Sequence, residues 1–131
     1  MELKWQEDFK TGNDAVDFQH RFFIELINRI ENDLRESKND THKRNLLVEL
    51  KKYAEFHFSS EENIAISYNL PGVSYHHERH VELLDELNRR KDSVFNDTKS
   101  LNDFFHFLIE WFIGHTFNED QKLFKKISAQ Y

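Results

Sequence analysis

The 131 residues give a chain of one domain's length, long enough to bury a core. There is no cysteine, which excludes a disulfide framework and a thiolate metal site. A formal charge of −6 without a basic patch argues against nucleic acid as the main partner, and no apolar run approaches a membrane span. The N-terminal Met1-Glu2-Leu3-Lys4-Trp5 has no signal-peptide pattern, so a soluble, cytoplasmic protein is expected. Nothing in the sequence names a protein partner, and a free-standing chain of this size suits a monomer. Eight histidines and thirteen phenylalanines are the unusual counts, and together they suit an imidazole site set into a Phe-rich core.

In chain order, residues 1–13 form an irregular arm carrying Trp5 and Phe9 and ending at Gly12-Asn13-Asp14, where Asn13 or Asp14 can cap a helix. The first helix, about 14–37, shows Val16, His20, Phe23, Ile27, Ile30 and Leu34 on one stripe. A polar turn from Ser37 to Thr41 follows. The second helix, about 41–66, turns Leu46, Leu50, Tyr53, His57, Glu61, Ile64 and Tyr68 inward. Asn69-Leu70-Pro71-Gly72 holds the only proline and predicts a reversal. The third helix, about 74–95 with Ser74 as N-cap, carries His76, His80, Leu83, Leu84, Leu87 and Val94, with Lys91 breaking the stripe. After Asn96-Asp97-Thr98, Ser100 and Asp103 make a capping-box pattern for the fourth helix, about 99–128. It presents Leu101, Phe104, Phe105, Leu108, Phe112, His115, Leu123 and Ile127. No repeat or strand-like alternation interrupts this pattern. The prediction is an all-α, antiparallel, up-down-up-down four-helix bundle across residues 1–131.

Within these stripes the chemistry lies at polar positions. His57 and Glu61 sit four apart on one helix face, and so do His76 and His80. Either pair alone is a weak signal. The inward positions are interrupted by His20, His57, Glu61, His76, His80 and His115, at least one from each helix. A lone core histidine is usually satisfied by an ordinary hydrogen bond. Five with a buried carboxylate are another matter, because breaking a buried charge pair costs about 3–5 kcal/mol. Imidazoles and carboxylates converging from four helices are what a metal needs.

With those residues laid out, the chain resembles the hemerythrin family, specifically its single-domain bacterial members. The matching pieces are Trp5, Gly12 and Asp17-Phe18-Gln19-His20, then His57-Phe58-Ser59-Ser60-Glu61-Glu62, then His76 and His80, and last Trp111, His115 and Asp120. They occur in the family's order over nearly the whole chain. The resemblance implies two irons, one held by His76, His80 and His115, the other by His20 and His57. Glu61 and Asp120 would bridge them, with an oxo or hydroxo group between. One coordination position then stays open for dioxygen, on the iron with two histidines.

Two assignments carry tension. His77 could replace His76 by spacing, and the family pattern favours His76, leaving His77 facing solvent. Asp120, five residues after His115, lies about 140° around an ideal helix, whereas Glu119 lies in register. Asp120 therefore requires a local deviation of the helix or a site set to one side of it. His42 and His106 have no ligand partner at useful spacing and are expected at the surface or behind the ligands.

The function implied is reversible dioxygen binding for storage, transport, delivery or sensing. The alternative is a di-iron enzyme acting as oxidase, peroxidase or nitric-oxide-handling protein. A structural zinc fits less well, since zinc prefers four ligands. The ligand types alone do not choose iron over manganese. Phe23, Phe58 and Trp111 would keep the oxygen pocket apolar. Thr116 stands where the family usually has a large aliphatic, and Ala65 where it often has methionine. A hydroxyl at Thr116 would ease loss of bound oxygen as a protonated, reduced species, predicting faster autoxidation.

Overall fold

A computed structural model describes residues 2–130, with the side chains of residues 116, 117 and 126–130 outside that description. Five α-helices follow one another: α1 Asp14–Glu36, α2 Asp40–Ser67, α3 Val73–Arg90, α4 Thr98–Ile113 and α5 Gln121–Gln130. The fourth arm of the bundle is α4 and α5 joined by a π-helical segment, Gly114–Asp120. The architecture is an all-α four-helix bundle, and no strand occurs among the described residues. Among those residues, too, no helix is long and apolar enough to cross a membrane.

Helix ends follow local hydrogen bonding, and here the sequence misled in two places. Asn13 caps α1 by accepting from the Val16 amide at 3.1 Å, and Asn39 caps α2 through His42 at 3.0 Å. At α3 the expected cap, Ser74, lies inside the helix. The N-cap position belongs to Gly72, in the left-handed region with φ 88°. Asn69 (φ 53°) is left-handed as well, and the two positions fold the chain back while Leu70 is buried beneath the turn. At α4 the cap is Asp97, which accepts from the Ser100 amide at 2.7 Å. The expected Ser100–Asp103 box does not form the cap, and Asp103 is exposed.

The third helix also ends early. It gives way to a 3-10 turn, Lys91–Phe95, at the residue where the apolar stripe breaks. Val94 still reaches the core from that turn.

The core falls into two parts. The larger runs through Phe23, Ile27, Leu50, Leu87, Phe104, Leu108 and Trp111, and the smaller holds Val16, Ala65, Leu70, Leu123 and Phe124. A belt of buried polar side chains separates them along each helix: His20 lies between Val16 and Phe23, and His57 and Glu61 between Leu50 and Ala65.

The N-terminal arm is tied to α1 at two places. Asp17 Oδ1 accepts from both the amide and the hydroxyl of Thr11 at 2.8 Å, and Oδ2 from the Gly12 amide at 3.3 Å. Asn28 pairs with the backbone of Leu3 in both directions, at 3.0 and 2.7 Å. Phe9 is buried, with Trp5 edge-on to it at 5.7 Å. Asp17 is thus the latch of the arm. Asp17→Ala leaves buried donors of Thr11 unpaired and should cost about 1–3 kcal/mol. A lowered thermal midpoint with faster hydrogen exchange at Thr11 and Gly12 is the expected result; an unchanged midpoint would show that the latch adds nothing.

Candidate metal centre

Each arm of the bundle delivers its polar residues by helical phase. His57 and Glu61 leave one face of α2, and His76 and His80 one face of α3, as the spacing of four dictates. His20 projects from the core stripe of α1. His115 and Asp120 would diverge on an α-helix, but Gly114–Asp120 is π-helical. Its i→i+5 hydrogen bonding gives a wider turn, which returns the fifth residue beneath the first. That is the local deviation Asp120 required. Both residues reach the same cluster, with Asp120 Oδ1 2.8 Å from His115 Nε2.

The cluster has two halves sharing two carboxylates. Glu61, His76, His80, His115 and Asp120 can converge on one point, and His20, His57, Glu61 and Asp120 on another. Glu61 turns Oε1 toward His57 and toward His20 (3.1 Å), and Oε2 toward His76 (3.4 Å) and His80 (3.6 Å). Asp120 turns Oδ2 toward His20 at 3.0 Å and Oδ1 toward His76 at 2.9 Å. Each carboxylate therefore offers one oxygen to each half. Glu61 and Asp120 have no solvent exposure at all, so their charge must be met inside.

Protons alone meet it badly. Both Asp120 oxygens lie within 3.0 Å of imidazole nitrogens yet have no hydrogen-bond partner in proper geometry. His80 Nε2 and His115 Nε2 face each other at 3.0 Å. The ligand atoms of each half lie within 4.8 Å of one another, close enough to share a cation, and the donors are the imidazoles and carboxylates that suit iron or manganese. The donor set fits metal ions.

Outer nitrogens are held by residues to which the sequence reading gave no role in the site. Gln19 Oε1 lies 2.8 Å from His57 Nδ1, while the Gln19 amide donates to Ser60 at 2.8 Å and its carbonyl accepts from Tyr53 at 2.8 Å. Glu62 lies 2.8 Å from His80 Nδ1 and also takes His77. Glu119 lies 2.6 Å from His115 Nδ1 and accepts from Arg79 at 2.7 Å. Only the His115–Glu119 pair had a spacing signal, i to i+4; the others join different helices. His77 is exposed, as expected, and turns to Glu62 instead of the cluster. His42 and His106 are exposed too, His42 meeting Ser37 at 2.9 Å.

Of the expected pocket residues, Phe23, Phe58 and Trp111 come together, with Phe58–Trp111 centroids 5.7 Å and Phe23–Trp111 centroids 6.0 Å apart. Phe58 stacks on His80 at 4.0 Å. Ala65 lies across the polar belt from them, in the smaller core. The side chains of Thr116 and Ile127 are outside the described residues.

In the metal-free protein, burial pushes the imidazole of His20 down, but Asp120 and Glu61 outweigh it and raise its pKa to about 9. His76 follows the same pattern, to about 9, and His115 to about 10. Burial lowers His57 instead. Burial pushes the Glu61 carboxyl up, yet His57, His20 and His76 hold it well below the ordinary range. Asp120 is likewise held low by His115 and His20, against burial and the Glu61 charge.

The raised values fix the sign. Stability from protonated His20, His76 and His115 is complete below the unfolded pKa of 6.5 and lost as pH rises through about 9 to 10. The thermal midpoint of the metal-free protein should therefore fall as the pH rises from about 6.5 to about 10. With metal in place of those protons the fall should vanish, and loading at pH 7.5 should release protons into a weakly buffered solution. Parallel alkaline curves with and without metal would contradict this.

Comparison with known proteins agrees with the geometry. Residues 11–127 match the model of the hemerythrin HHE cation binding domain. The chain is 28% identical over 125 residues to a bacteriohemerythrin of Clostridium acetobutylicum, covering 90% of this chain and 95% of that protein. It is 28% identical over 124 residues to a bacteriohemerythrin of Pseudomonas aeruginosa, covering 90% and 76%. Against a bacteriohemerythrin of Stenotrophomonas maltophilia it is 25% identical over 131 residues, covering 97% and 82%. With the family's domain spanning most of its length, the chain belongs to the hemerythrin family.

Proposed function

We propose that the cluster holds two iron ions and that the protein binds dioxygen reversibly. His76, His80 and His115 would hold one iron and His20 and His57 the other, with Glu61 and Asp120 bridging. The observation that carries this reading is the division of both carboxylates between two groups of imidazoles. Membership of the hemerythrin family supports iron as the metal and dioxygen as the ligand. When bound, a pair of ferrous ions supplies the electrons that dioxygen takes up.

The surrounding side chains favour a carrier or sensor over an enzyme. Phe23 and Phe58 have no proton to give. The Trp111 indole N–H is spent on the Leu83 carbonyl at 3.0 Å, and the Tyr53 hydroxyl on the Gln19 carbonyl at 2.8 Å. Among the described side chains, these four offer no free proton to a diatomic ligand. They keep the wall next to His57 and His80 apolar and hold bulk water away. Turnover as an oxidase or peroxidase needs protons delivered and a product released; reversible binding needs neither.

Metal analysis should find two irons per chain. The reduced protein should gain a visible charge-transfer band in air and lose it on degassing. A protein with two irons but no reversible band would rule out dioxygen carriage. Glu61→Ala should abolish stoichiometric iron binding and lower the thermal midpoint, because His20, His57, His76 and His80 lose a shared counter-charge. Retention of two irons in that variant would exclude Glu61 as a bridge. For Thr116, where a hydroxyl replaces an aliphatic, Thr116→Ile should lengthen the life of the oxygenated form. Decay as fast as the parent's would absolve the hydroxyl.

A further inference from the structure

The two halves of the cluster differ in what stands behind the imidazoles. In the half of His76, His80 and His115, two outer nitrogens face carboxylates: His80 Nδ1 lies 2.8 Å from Glu62, and His115 Nδ1 2.6 Å from Glu119. In the other half, His57 Nδ1 meets the neutral amide of Gln19 at 2.8 Å, and His20 Nδ1 is buried without a partner. The inner carboxylates do not create this contrast, since Glu61 and Asp120 give one oxygen to each half.

An imidazole whose N–H donates to a carboxylate presents a more electron-rich nitrogen to its metal, and so favours the more positive oxidation state. From this contrast we infer that Glu62 and Glu119 are positioning residues that bias the two metals against each other. The ion at His76, His80 and His115 gives up the first electron, and the ion at His20 and His57 stays ferrous. This rests on the two-iron reading. The step is an outer-sphere transfer: one Fe(II) becomes Fe(III), an added ferricyanide becomes ferrocyanide, and no atom moves.

Arg79 sets the strength of the bias. Its Nε donates to the Glu119 oxygen not used by His115, at 2.7 Å, and its Nη1 to exposed Glu82 at 3.1 Å. The guanidinium draws on charge that Glu119 would otherwise lend to His115. Glu62 is divided in the same way between His80 and His77.

The test is a spectroelectrochemical titration of the two-iron protein, after metal analysis has verified two irons in each variant. Glu62→Gln and Glu119→Gln should raise the potential of the first oxidation, whereas Arg79→Gln should lower it. Glu82→Gln, a charge change on the same arginine but remote from His115, should move it less than either, and Glu119→Asp should restore the parent value. Loss of fold or of packing would shift Glu119→Gln and Arg79→Gln in one direction, which would overturn the inference. So would potentials equal to the parent's with two irons retained. Azide supplies the positional readout. In the half-oxidised parent, the open position is on a ferrous ion and no ferric–azide band should form. In Gln19→Glu combined with Glu62→Gln and Glu119→Gln, the ferric ion should move there and the band appear. A band already present in the half-oxidised parent would sink the assignment. A parent without two irons would fail earlier, at metal analysis, and take the two-iron reading with it.

Discussion

Two carboxylates with no access to water, Glu61 and Asp120, are the constraint on which the rest of this bundle depends. Neither charge can be screened by solvent, and each must be answered by cations or donors inside the bundle, from its own arm and from others. Their answer is the set of five imidazoles, which α1, α2, α3 and the π segment supply between them. The phase of every arm is therefore fixed at one level of the bundle. The apolar stripes above and below that level have only to be compatible with it.

The π-helical segment shows how strict that requirement is. An α-helix through residues 114–120 would aim Glu119 where Asp120 is needed, and would leave Asp120 some 140° away. The wider turn exchanges regular hydrogen bonding for placing both His115 and Asp120 in the cluster. It also keeps Glu119 on the outer side of His115, where it can hold Nδ1 and meet Arg79. One local distortion thus serves the inner and the outer face of a single imidazole. The same sequence positions on a regular helix could serve only one of them.

Helical phase is what a sequence displays openly, and that is why the bundle and its inward histidines were legible in it. The stripe through Val16, His20 and Phe23 and the pair His57–Glu61 needed no tertiary information. Asp120 was legible only as a conflict between family pattern and ideal geometry, and the conflict marked the place where the helix departs from α. The partners of the outer nitrogens were hidden for a different reason. Gln19 reaches His57 and Glu62 reaches His80 across helix boundaries, at sequence separations of 38 and 18. No periodicity encodes such a meeting. The third helix start was misread because Ser74 is a good capping residue in isolation, whereas the reversal after Asn69 needs a left-handed residue that Gly72 supplies.

The polar belt also decides how stability is distributed. It divides the apolar interior unequally, leaving Val16, Ala65, Leu70, Leu123 and Phe124 as a small cluster cut off from the larger core. Among the described residues, five buried side chains make up this smaller cluster, with Ile64, Tyr68 and Val73 packed against them. The belt itself also fastens that end, through Asp120 just before α5 and His76 in the first turn of α3. The arm adds Asp17, one helical turn from His20, as a further tie at the same end. A metal held in the cluster would therefore tie that end of the fold as well.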